Sequence, residues 1–469
     1  MRPVDPGPTV GPIVPGSPAP CRRACPVGTD AAAYVALIAE GRWAEAYDVA
    51  RGPNPFPSIC GRVCAAPCED ACRRGMVDQP IAIRALKRVL TETHGVEAAQ
   101  AGRWRRGLPP VPASTAPPVA IVGAGPAGMA AAHDLRLRGH AVTVFEREAR
   151  PGGMLAYGVP SFRLPRGIID GELDAIVDLG VTLKTGCEVG RDVTFGELLD
   201  DHAAVIVGVG CQEGRDLATP GVELPGVLRA IDFLRQVNAP PLGQAPLAAP
   251  VVVVGGGSVA FDAARSAWRI QGEQGGHGQT MLDAARLAMR SREGRRSGAP
   301  AVTLVAPEPR EALNVPPEEL EQAAQEGLFI RDRAGVRRMV GGDRVEGVEI
   351  APVRSLYDEQ GAFAPRLDES AREVLPAGTV VLAVGQRSET SFLSGVSGVD
   401  RAPWGGIQAD RWGRTGHPRI FATGDVASGP GNLIAAIASG QRTAAAVVQA
   451  LAAGDPASGE AGVVPRAVP

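Results

Sequence analysis

The sequence predicts an α/β fold with two Rossmann-like dinucleotide-binding domains, preceded by a helical, cysteine-rich domain. A strand, a glycine turn, a small-residue helix and a second strand follow one another in VAIVGAGPAGMAAAHDLRLRGHAVTVFERE, residues 119–148. The first three of these elements recur in PVVVVGGGSVAFDAARSAWR, residues 250–269. Six of the eight cysteines fall between Cys21 and Cys72. The internal repeat therefore predicts two nucleotide domains, and the cysteines set the N-terminal domain apart.

Length and composition restrict the class of protein. A chain of 469 residues exceeds one ordinary core, so we expect two or three domains. The net charge of −3 gives no basic patch for nucleic acid. No apolar run approaches the roughly 20 residues that span a bilayer, and the proline-rich start lacks a signal pattern. We therefore expect a cytoplasmic protein without a membrane span and with an extended arm over residues 1–20.

The first glycine turn has the spacing of a dinucleotide site. Gly123, Gly125 and Gly128 follow an apolar strand, and the next strand ends at Glu146. Glycines let the chain turn and let a pyrophosphate approach the helix N-terminus, while a carboxylate can accept from a ribose hydroxyl. In the second copy the corresponding positions are Gly255, Gly257 and Ala260. A tight turn in an unrelated α/β sheet is the alternative for either copy.

The cysteine spacing indicates a metal or redox site, because a cytosolic protein rarely uses clustered cysteines for disulfides. Four cysteines recur at four-residue steps, but Gly61 and Pro67 interrupt any single helix that would carry them. Thiolates in this number favour zinc or iron–sulfur, and the CxxC pairs usual in zinc ribbons are absent. Six buried structural thiols are the alternative. The six cysteines are Cys21, Cys25, Cys60, Cys64, Cys68 and Cys72.

The remaining pattern divides the chain into segments. We expect a helical iron–sulfur domain over residues 21–106 and a proline-rich linker over 107–118. We expect a discontinuous nucleotide domain over 119–230 and 373–454, enclosing a second nucleotide domain over 231–372; the resemblance described next makes the first the FAD-binding and the second the NAD(P)-binding domain. An insertion at 270–300 holds one extra helix, and residues 455–469 form a tail. Cys187 and Cys211 have no CxxC partner and are expected in the core.

The motifs together resemble the glutamate synthase small-subunit family, which includes the N-terminal part of dihydropyrimidine dehydrogenase. The resemblance runs from Cys21 to about Leu451 and is carried by CRRACPV, NPFPSICGRVCAAPCEDAC, VAIVGAGPAGMAAA, GGMLAYGVPSFRLP, VVVVGGGSVAFDAAR and IFATGDVASGPGNLIAAIASGQRTA. It implies a flavin–disulfide-reductase-like fold with FAD in the first nucleotide domain and a nicotinamide nucleotide in the second. It places Gly153, Met154 and Leu155 beside the isoalloxazine, and Gly424 and Asp425 at the ribityl and phosphate side of FAD. A helix from Asn432 or Leu433 then points its positive N-terminus at the flavin.

The resemblance also bears on the choice of nucleotide. Family members that take NADP often carry paired arginines after the strand VTLV, where this chain has Pro307 and Glu308. A carboxylate can accept from the ribose hydroxyls of NAD and repels a 2′-phosphate by about 1 to 4 kcal/mol at about 4 Å. Arg310 lies two residues on and can reach a phosphate. We therefore expect NAD(H) to be preferred over NADP(H).

The cysteine module departs from two-cluster relatives. Those have a CxxC pair upstream of the CRRAC motif, whereas this chain has no cysteine before Cys21, and Lys87 replaces the Gln or Glu that completes a cluster in some relatives. We therefore expect one [4Fe–4S] cluster, although two clusters with unusual ligands stay open. Its ligands include Cys25, Cys64 and Cys68, with a fourth from Cys60, Cys72 or Cys21.

These expectations define an NAD(P)H oxidoreductase subunit in which hydride passes between cofactors and no catalytic side chain is required. The partner is then a larger catalytic subunit with its own iron–sulfur clusters, of the 2-oxoacid, aldehyde or aryl-CoA oxidoreductase type. The alternatives are a glutamate synthase small subunit, a stand-alone NADH:ferredoxin or diaphorase enzyme, and a non-catalytic assembly or scaffold subunit.

Overall fold

A computed structural model describes residues 18–98, 110–239, 247–274 and 301–454. It divides the chain into two compact units. Unit 1 comprises Met1–Gly152, Arg163–Gly210 and Thr390–Pro469, and unit 2 comprises Gly153–Phe162 and Cys211–Glu389. The predicted α/β class is confirmed, since parallel sheets with helices occur in both units.

Short helices form the N-terminal part of unit 1. They are α1 (Pro20–Ala24), α2 (Ala31–Ala39), α3 (Trp43–Arg51), α4 (Pro57–Val63), α5 (Pro67–Asp70) and α6 (Ile83–His94), with a 3-10 turn at Arg73–Met76. Asp30 begins α2 by accepting a hydrogen bond from the Ala33 N–H at 3.0 Å. Tyr34, Tyr47 and Leu90 from α2, α3 and α6 are fully buried in a shared core.

The cysteine-rich stretch forms two short helices and not one unbroken helix. It forms α4 and α5, but between them Cys64 is extended and Ala66 is left-handed at φ 52°. Because the chain turns there, the four cysteines do not share one helix. Pro67 follows the break as expected, whereas Gly61 lies inside α4 and does not interrupt it.

The first Rossmann-like sheet starts in unit 1 with the motif of residues 119–148. The elements are β1 (Ala116–Val122), α7 (Pro126–Arg136), β2 (His140–Glu146), α8 (Met154–Tyr157), α9 (Arg166–Val177), β3 (Thr182–Thr185), α10 (Phe195–Asp201) and β4 (Ala204–Val207). Of these, α8 belongs to unit 2. β1 pairs in parallel with β2 and β4, and all four residues from Val119 to Val122 are buried.

Unit 2 contains the second glycine motif. Its elements continue with β5 (Glu213–Gly214), β6 (Val227–Arg229), α11 (Ala230–Asn238), β7 (Val251–Val254), α12 (Ser258–Gln274), β8 (Val302–Val305), α13 (Pro317–Gln325), β9 (Phe329–Arg331), β10 (Ala334–Gly341), β11 (Val345–Tyr357), β12 (Phe363–Leu367), β13 (Glu373–Pro376), β14 (Thr379–Leu382) and β15 (Gln386–Arg387). A parallel sheet has the order β6-β14-β7-β8-β9, and β10 to β13 form an antiparallel sheet.

Both expected boundaries of the enclosed domain differ from the structure. β6 falls inside 119–230, yet it pairs in parallel with β14 in the second sheet, and unit 2 starts again at Cys211. β14 falls inside 373–454, the segment expected in the FAD-binding domain, yet it pairs in parallel with β7 of the second sheet. Unit 2 therefore extends to Glu389. Val380, Val381 and Leu382 of β14 belong to the hydrophobic cores of unit 2, which explains why the strand stays there.

The chain returns to unit 1 for its last elements. These are β16 (Ile420–Ala422), α14 (Asp425–Ser428) and α15 (Leu433–Ala452). In the described residues the first sheet then has the parallel order β16-β4-β1-β2-β3. α15 packs on α7 so closely that a Cβ at Gly440 would clash with the Ala127 carbonyl oxygen.

Three expectations lie wholly or largely outside the described residues: the arm over 1–20, the extra helix within 270–300, and the tail over 455–469. Among the residues that are described, no helix is both long enough and apolar enough to cross a bilayer.

Candidate functional site

The first glycine turn of unit 1 combines two packed glycines with one open one. Gly123 has φ +103°, and a Cβ there would lie 2.6 Å from the Gly208 carbonyl oxygen. A Cβ at Gly128 would clash with the Gly123 carbonyl oxygen. Gly125, in contrast, has no atom within 4 Å of the place where its Cβ would be. The turn is therefore closed on the protein side and open at Gly125, immediately before the N-terminus of α7.

Glu146 is held against this turn. Its Oε2 accepts from the Ala124 N–H at 2.8 Å, and its Oε1 accepts from the Glu148 N–H at 2.9 Å. Burial raises the pKa of this carboxyl, and the two N–H donors oppose that effect. Each carboxylate oxygen retains a lone pair that can accept from a ribose hydroxyl.

The loop after β16 lies beside the same turn. Gly424 has φ +69°, and a Cβ there would lie 2.7 Å from the Cβ of Ala127 in α7. Asp425 follows, and burial raises the pKa of its carboxyl to about 6. A hydrogen bond from the Gly431 backbone has the opposite, smaller effect on this pKa. Ser439 of α15 fixes the loop by accepting from the Gly424 N–H at 2.9 Å. Sequence reasoning missed this serine, because nothing in its local pattern marks it.

The helix expected from Asn432 begins there. The Asn432 Oδ1 caps α15 by accepting from the Ala435 N–H at 3.0 Å. At the other side of the turn, the Gly152 N–H donates to the Ala124 carbonyl at 2.9 Å. Gly153, Met154 and Leu155 come next along the chain and open the first segment of unit 2, with Leu155 buried in α8.

The second glycine turn, in unit 2, is built in the same way. A Cβ at Gly255 would clash with the Ala383 carbonyl oxygen, whereas one at Gly257 would meet only the Asn314 carbonyl oxygen at 3.9 Å. Ala260 is fully buried in α12. The turn is again closed at its first glycine and open at its second.

Glu308 lies against this second turn. A Cβ at Gly256 would be 2.7 Å from the Glu308 Oε2, so the carboxylate touches the turn itself. That oxygen is buried and has no hydrogen-bond partner within the described parts of the chain. Arg310 is exposed, and its backbone N–H donates to Asp332. A buried acceptor without a donor next to an open glycine turn fits the hydroxyl groups of a nucleotide ribose.

Among the cysteines, Cys60 and Cys64 form a close pair. Cys60 is buried in α4, and Cys64 follows it at the helix end, where its sulfur accepts from the Ala66 N–H at 3.4 Å. A hydrogen bond between the two thiols raises the pKa of Cys60 and lowers that of Cys64. Cys64 is thereby favoured as a thiolate, the form that binds metals.

Cys68, Cys25 and Cys21 adjoin this pair. Burial raises the pKa of Cys68 to about 12, with Lys87 acting in the opposite direction and with Cys64 and Cys25 close enough to contribute. Burial, followed by the negative charges of Cys68, Cys25 and Cys21, raises the pKa of Tyr34. The structure therefore brings Cys21, Cys25 and Cys68 near Tyr34, and Cys60, Cys64 and Cys68 near Lys87.

Cys72 has a different neighbourhood. Its sulfur accepts from the Ile81 N–H at 3.5 Å, on the loop that leads to α6. All eight cysteines are free thiols; Cys187 packs partly buried in unit 1 and Cys211 is buried in unit 2, as expected for core residues. In the part of the chain that is described, no three His, Cys, Asp or Glu side chains converge around a single metal ion.

Three buried charged side chains were not expected from the sequence. Lys87 is only 8% exposed, and its Nζ lies 5.7 Å from the centre of the Tyr34 ring. Arg51 of α3 and Glu172 of α9 are each 1% exposed and lie 3.9 Å apart. The Lys87 position has a local signal, because it shares the buried face of α6 with Ile83 and Leu90 at helical spacing.

Two family profiles match the parts of the chain that hold these residues. The profile described as pyridine nucleotide-disulphide oxidoreductase matches residues 117–440. The profile described as dihydropyrimidine dehydrogenase domain II, 4Fe-4S cluster, matches residues 16–98. The resemblance drawn from the motifs is therefore confirmed for both the nucleotide domains and the cysteine module.

Curated relatives match nearly the whole chain. The NADP(+)-dependent formate dehydrogenase subunit beta of Moorella thermoacetica is 34% identical, over 93% of this chain and 60% of its own length. The chain thus spans about three fifths of that relative. The glutamate synthase (NADPH) small chain of Azospirillum brasilense is 30% identical, over 90% of this chain and 84% of its own length.

Solved structures share the fold. Mycobacterium tuberculosis FprA in complex with NADPH is 24% identical, with a TM-score of 0.58. The match covers 71% of this chain and 84% of that one.

Proposed function

The chain belongs to the pyridine nucleotide-disulphide oxidoreductase family and is an oxidoreductase, and we propose that it exchanges electrons between NAD(H) and the iron–sulfur chain of a partner protein. FAD and one [4Fe–4S] cluster supply the two-electron and one-electron chemistry when they are bound. The observation that carries this proposal is the presence in one chain of two open glycine turns, each touching a carboxylate, and a group of thiols of which Cys60 is buried and the others are partly buried.

The first turn is proposed to hold FAD. Gly125 leaves room for the pyrophosphate at the N-terminus of α7, and Glu146 can accept from the adenosine ribose. Asp425 and the start of α15 at Asn432 are proposed to face the ribityl chain and the flavin. Gly123, Gly128 and Gly424 complete the proposed site in unit 1. For Gly153, Met154 and Leu155, the family resemblance supports a proposed place beside the isoalloxazine.

The thiols are proposed to hold a single cluster through Cys25, Cys60, Cys64 and Cys68. Cys60 is preferred over Cys72 and Cys21 as the fourth ligand because its thiol already contacts that of Cys64. The backbone N–H donor to the Cys64 sulfur is of the kind that tunes such clusters.

Cofactor content tests this part of the proposal. The full chain, purified without oxygen, is expected to contain about one FAD, about four irons and about four acid-labile sulfides per chain. About eight irons would replace the single-cluster assignment with two clusters. A chain that binds neither iron nor flavin after reconstitution would overturn the proposed function and favour a scaffold role.

The second turn is proposed to take NAD(H) rather than NADP(H), even though both relatives described above are named for NADP(H). The support is Glu308, whose buried oxygen touches the turn at Gly256. A Glu308→Arg variant removes the charge that repels a 2′-phosphate and adds one that attracts it. We expect the ratio of kcat/KM for NADPH over NADH to rise at least tenfold.

Glu321→Arg makes the same charge change at an exposed position of α13 and should leave that ratio within about twofold. An unchanged ratio in Glu308→Arg, with the flavin still bound, would remove the assignment of Glu308 to nucleotide selection.

A partner subunit with its own iron–sulfur clusters is proposed to receive or donate the electrons. The relative from Moorella thermoacetica is named as a subunit of a formate dehydrogenase, which supports assembly with a larger protein. Anaerobic affinity purification of the tagged chain from its native cell should recover an iron-containing partner, and recovery of the chain alone with full turnover of a soluble acceptor would favour the stand-alone enzyme.

A further inference from the structure

Lys87 is a buried cation within a group of thiols. It lies on the inner face of α6 with Ile83, Leu90 and Thr91, which are at most 4% exposed. α6 packs on α4 so tightly that a Cβ at Gly61 would lie 2.9 Å from the Arg88 Cα. Because Gly61 follows Cys60 and Arg88 follows Lys87, this contact places the lysine beside the helix that carries Cys60.

No carboxylate pairs with Lys87 within the described residues. The Lys87 Nζ lies over the face of the Tyr34 ring, 5.7 Å from the ring centre. Glu69 of α5 is an acid on a packed element, and its Oε1 accepts from the Arg84 N–H at 2.6 Å. A second cation, Arg84, bonds to the Cys64 carbonyl at 2.9 Å. A buried ammonium without an acidic partner is costly, so this position calls for another source of negative charge.

The sulfur atoms of Cys60, Cys64 and Cys68 are that source. Cys60 and Cys64 lie within and at the end of α4, on which α6 packs. Cys68 packs on the core that contains Tyr34. A cluster held by four thiolates carries a net negative charge, and reduction adds one further negative charge. A fixed cation nearby therefore stabilises the reduced cluster more than the oxidised one.

We propose that Lys87 is the buried counter-charge of the cluster and raises its reduction potential. This proposal rests on the proposed function, because it requires the cluster to be present. Lys87 then acts as a positioning and tuning residue, since its ammonium carries charge and does not ligate iron. At an effective dielectric of about 20, a unit charge changes the ratio of reduced to oxidised cluster at least tenfold out to about 12 Å.

The experiment is an anaerobic redox titration of the full chain. The electron paramagnetic resonance signal of the reduced cluster measures how much cluster is reduced at each potential. Lys87→Met and Lys87→Gln remove the charge, and Lys87→Arg keeps it in a side chain that does not ligate iron. We expect both neutral variants to need a potential lower by at least 59 mV, a tenfold change for one electron. Lys87→Arg should keep the wild-type spectrum. Its ratio of reduced to oxidised cluster should stay within about threefold of the wild-type ratio.

Arg88→Met is the matched control. Arg88 is the next residue, its side chain is 53% exposed, and it pairs with Glu92 at 2.9 Å. The loss of the Arg88 charge should change the ratio of reduced to oxidised cluster by less than about twofold, because water screens an exposed charge.

Each outcome separates the two proposals. A wild-type chain without iron after reconstitution removes the cluster itself, and with it the proposed function. A loaded Lys87→Met chain with the wild-type potential overturns the role of Lys87 and leaves the cluster standing. A changed spectrum in Lys87→Arg overturns it too, since the lysine is then a ligand, whereas cluster loss in both neutral variants but not in Lys87→Arg supports the counter-charge.

Discussion

Replacing Glu172 with Gln tests the buried polar contact within unit 1. Glu172 lies in α9 and Arg51 in α3, with 3.9 Å between the Glu172 Oε2 and the Arg51 Nη1. The Glu172 Oε1 also accepts from the Ser58 N–H at 2.8 Å, in the first turn of α4. A glutamine keeps the shape and this hydrogen bond but cannot ionise.

The pKa of Glu172 gives the size and the sign of the effect. Burial raises it from 4.5 to about 7, against the attraction of Arg51 and the hydrogen bonds from Ser58. A raised folded pKa means that the folded chain holds the proton more tightly than the unfolded chain. The resulting stability is present below about pH 4.5 and is lost as the pH rises to about 7. The loss is about 1.4 kcal/mol per pH unit and about 3 kcal/mol in total.

Urea unfolding followed by circular dichroism at pH 5 and pH 7.5 measures this difference. The free energy of unfolding of Glu172→Gln, relative to the wild type, should increase by about 2 to 3 kcal/mol between the two pH values. Asp174→Asn makes the same charge change at an exposed position of α9 and should shift this difference by less than about 0.5 kcal/mol. The reasoning is refuted if the free energy of unfolding of Glu172→Gln, relative to the wild type, stays constant or falls as the pH rises. The ion pair with Arg51 would then stabilise the charged form of Glu172.

Further predictions concern the glycine turn and the cysteines. Gly125→Ala should fold normally, because its Cβ meets no atom within 4 Å, yet bind FAD at least tenfold more weakly by fluorescence titration. Gly128→Ala should lower the free energy of unfolding by about 2 kcal/mol or more, because its Cβ meets the Gly123 carbonyl oxygen; equal stability of the two variants would contradict this difference. Cys60→Ser should lose most of the cluster iron measured after reconstitution, while Cys72→Ser should keep it; the reverse order would move the fourth ligand to Cys72.

The parts of the fold that repeat a local pattern were predictable from sequence. The strand, glycine turn and helix at Gly123 and again at Gly255 were placed correctly, because apolar runs and glycine spacing are short-range signals. The sheet to which β14 belongs was not predictable in the same way. Its residues, TVVL, are as apolar as those of either sheet, and only pairing with Val251–Val254 assigns it.

Contacts between distant segments explain the rest. Arg51 and Glu172 come from helices separated by more than a hundred residues, and neither helix has a local pattern that marks the pair. Lys87 did have a signal in its spacing from Ile83 and Leu90, although a lysine on a buried face contradicts the usual pattern of amphipathic helices. The proposed roles of Glu308 and Asp425 stay predictions, because they rest on how well the positions of these side chains fit a nucleotide.

Anaerobic reduction of the purified chain by nicotinamide nucleotides tests the central claim most directly. Flavin absorbance and the electron paramagnetic resonance of the cluster are followed in the same sample after NADH or NADPH is added. We expect NADH to bleach the flavin and then produce the reduced-cluster signal, at least tenfold faster than NADPH at equal concentration. Bound flavin and cluster that neither nucleotide reduces would contradict the account.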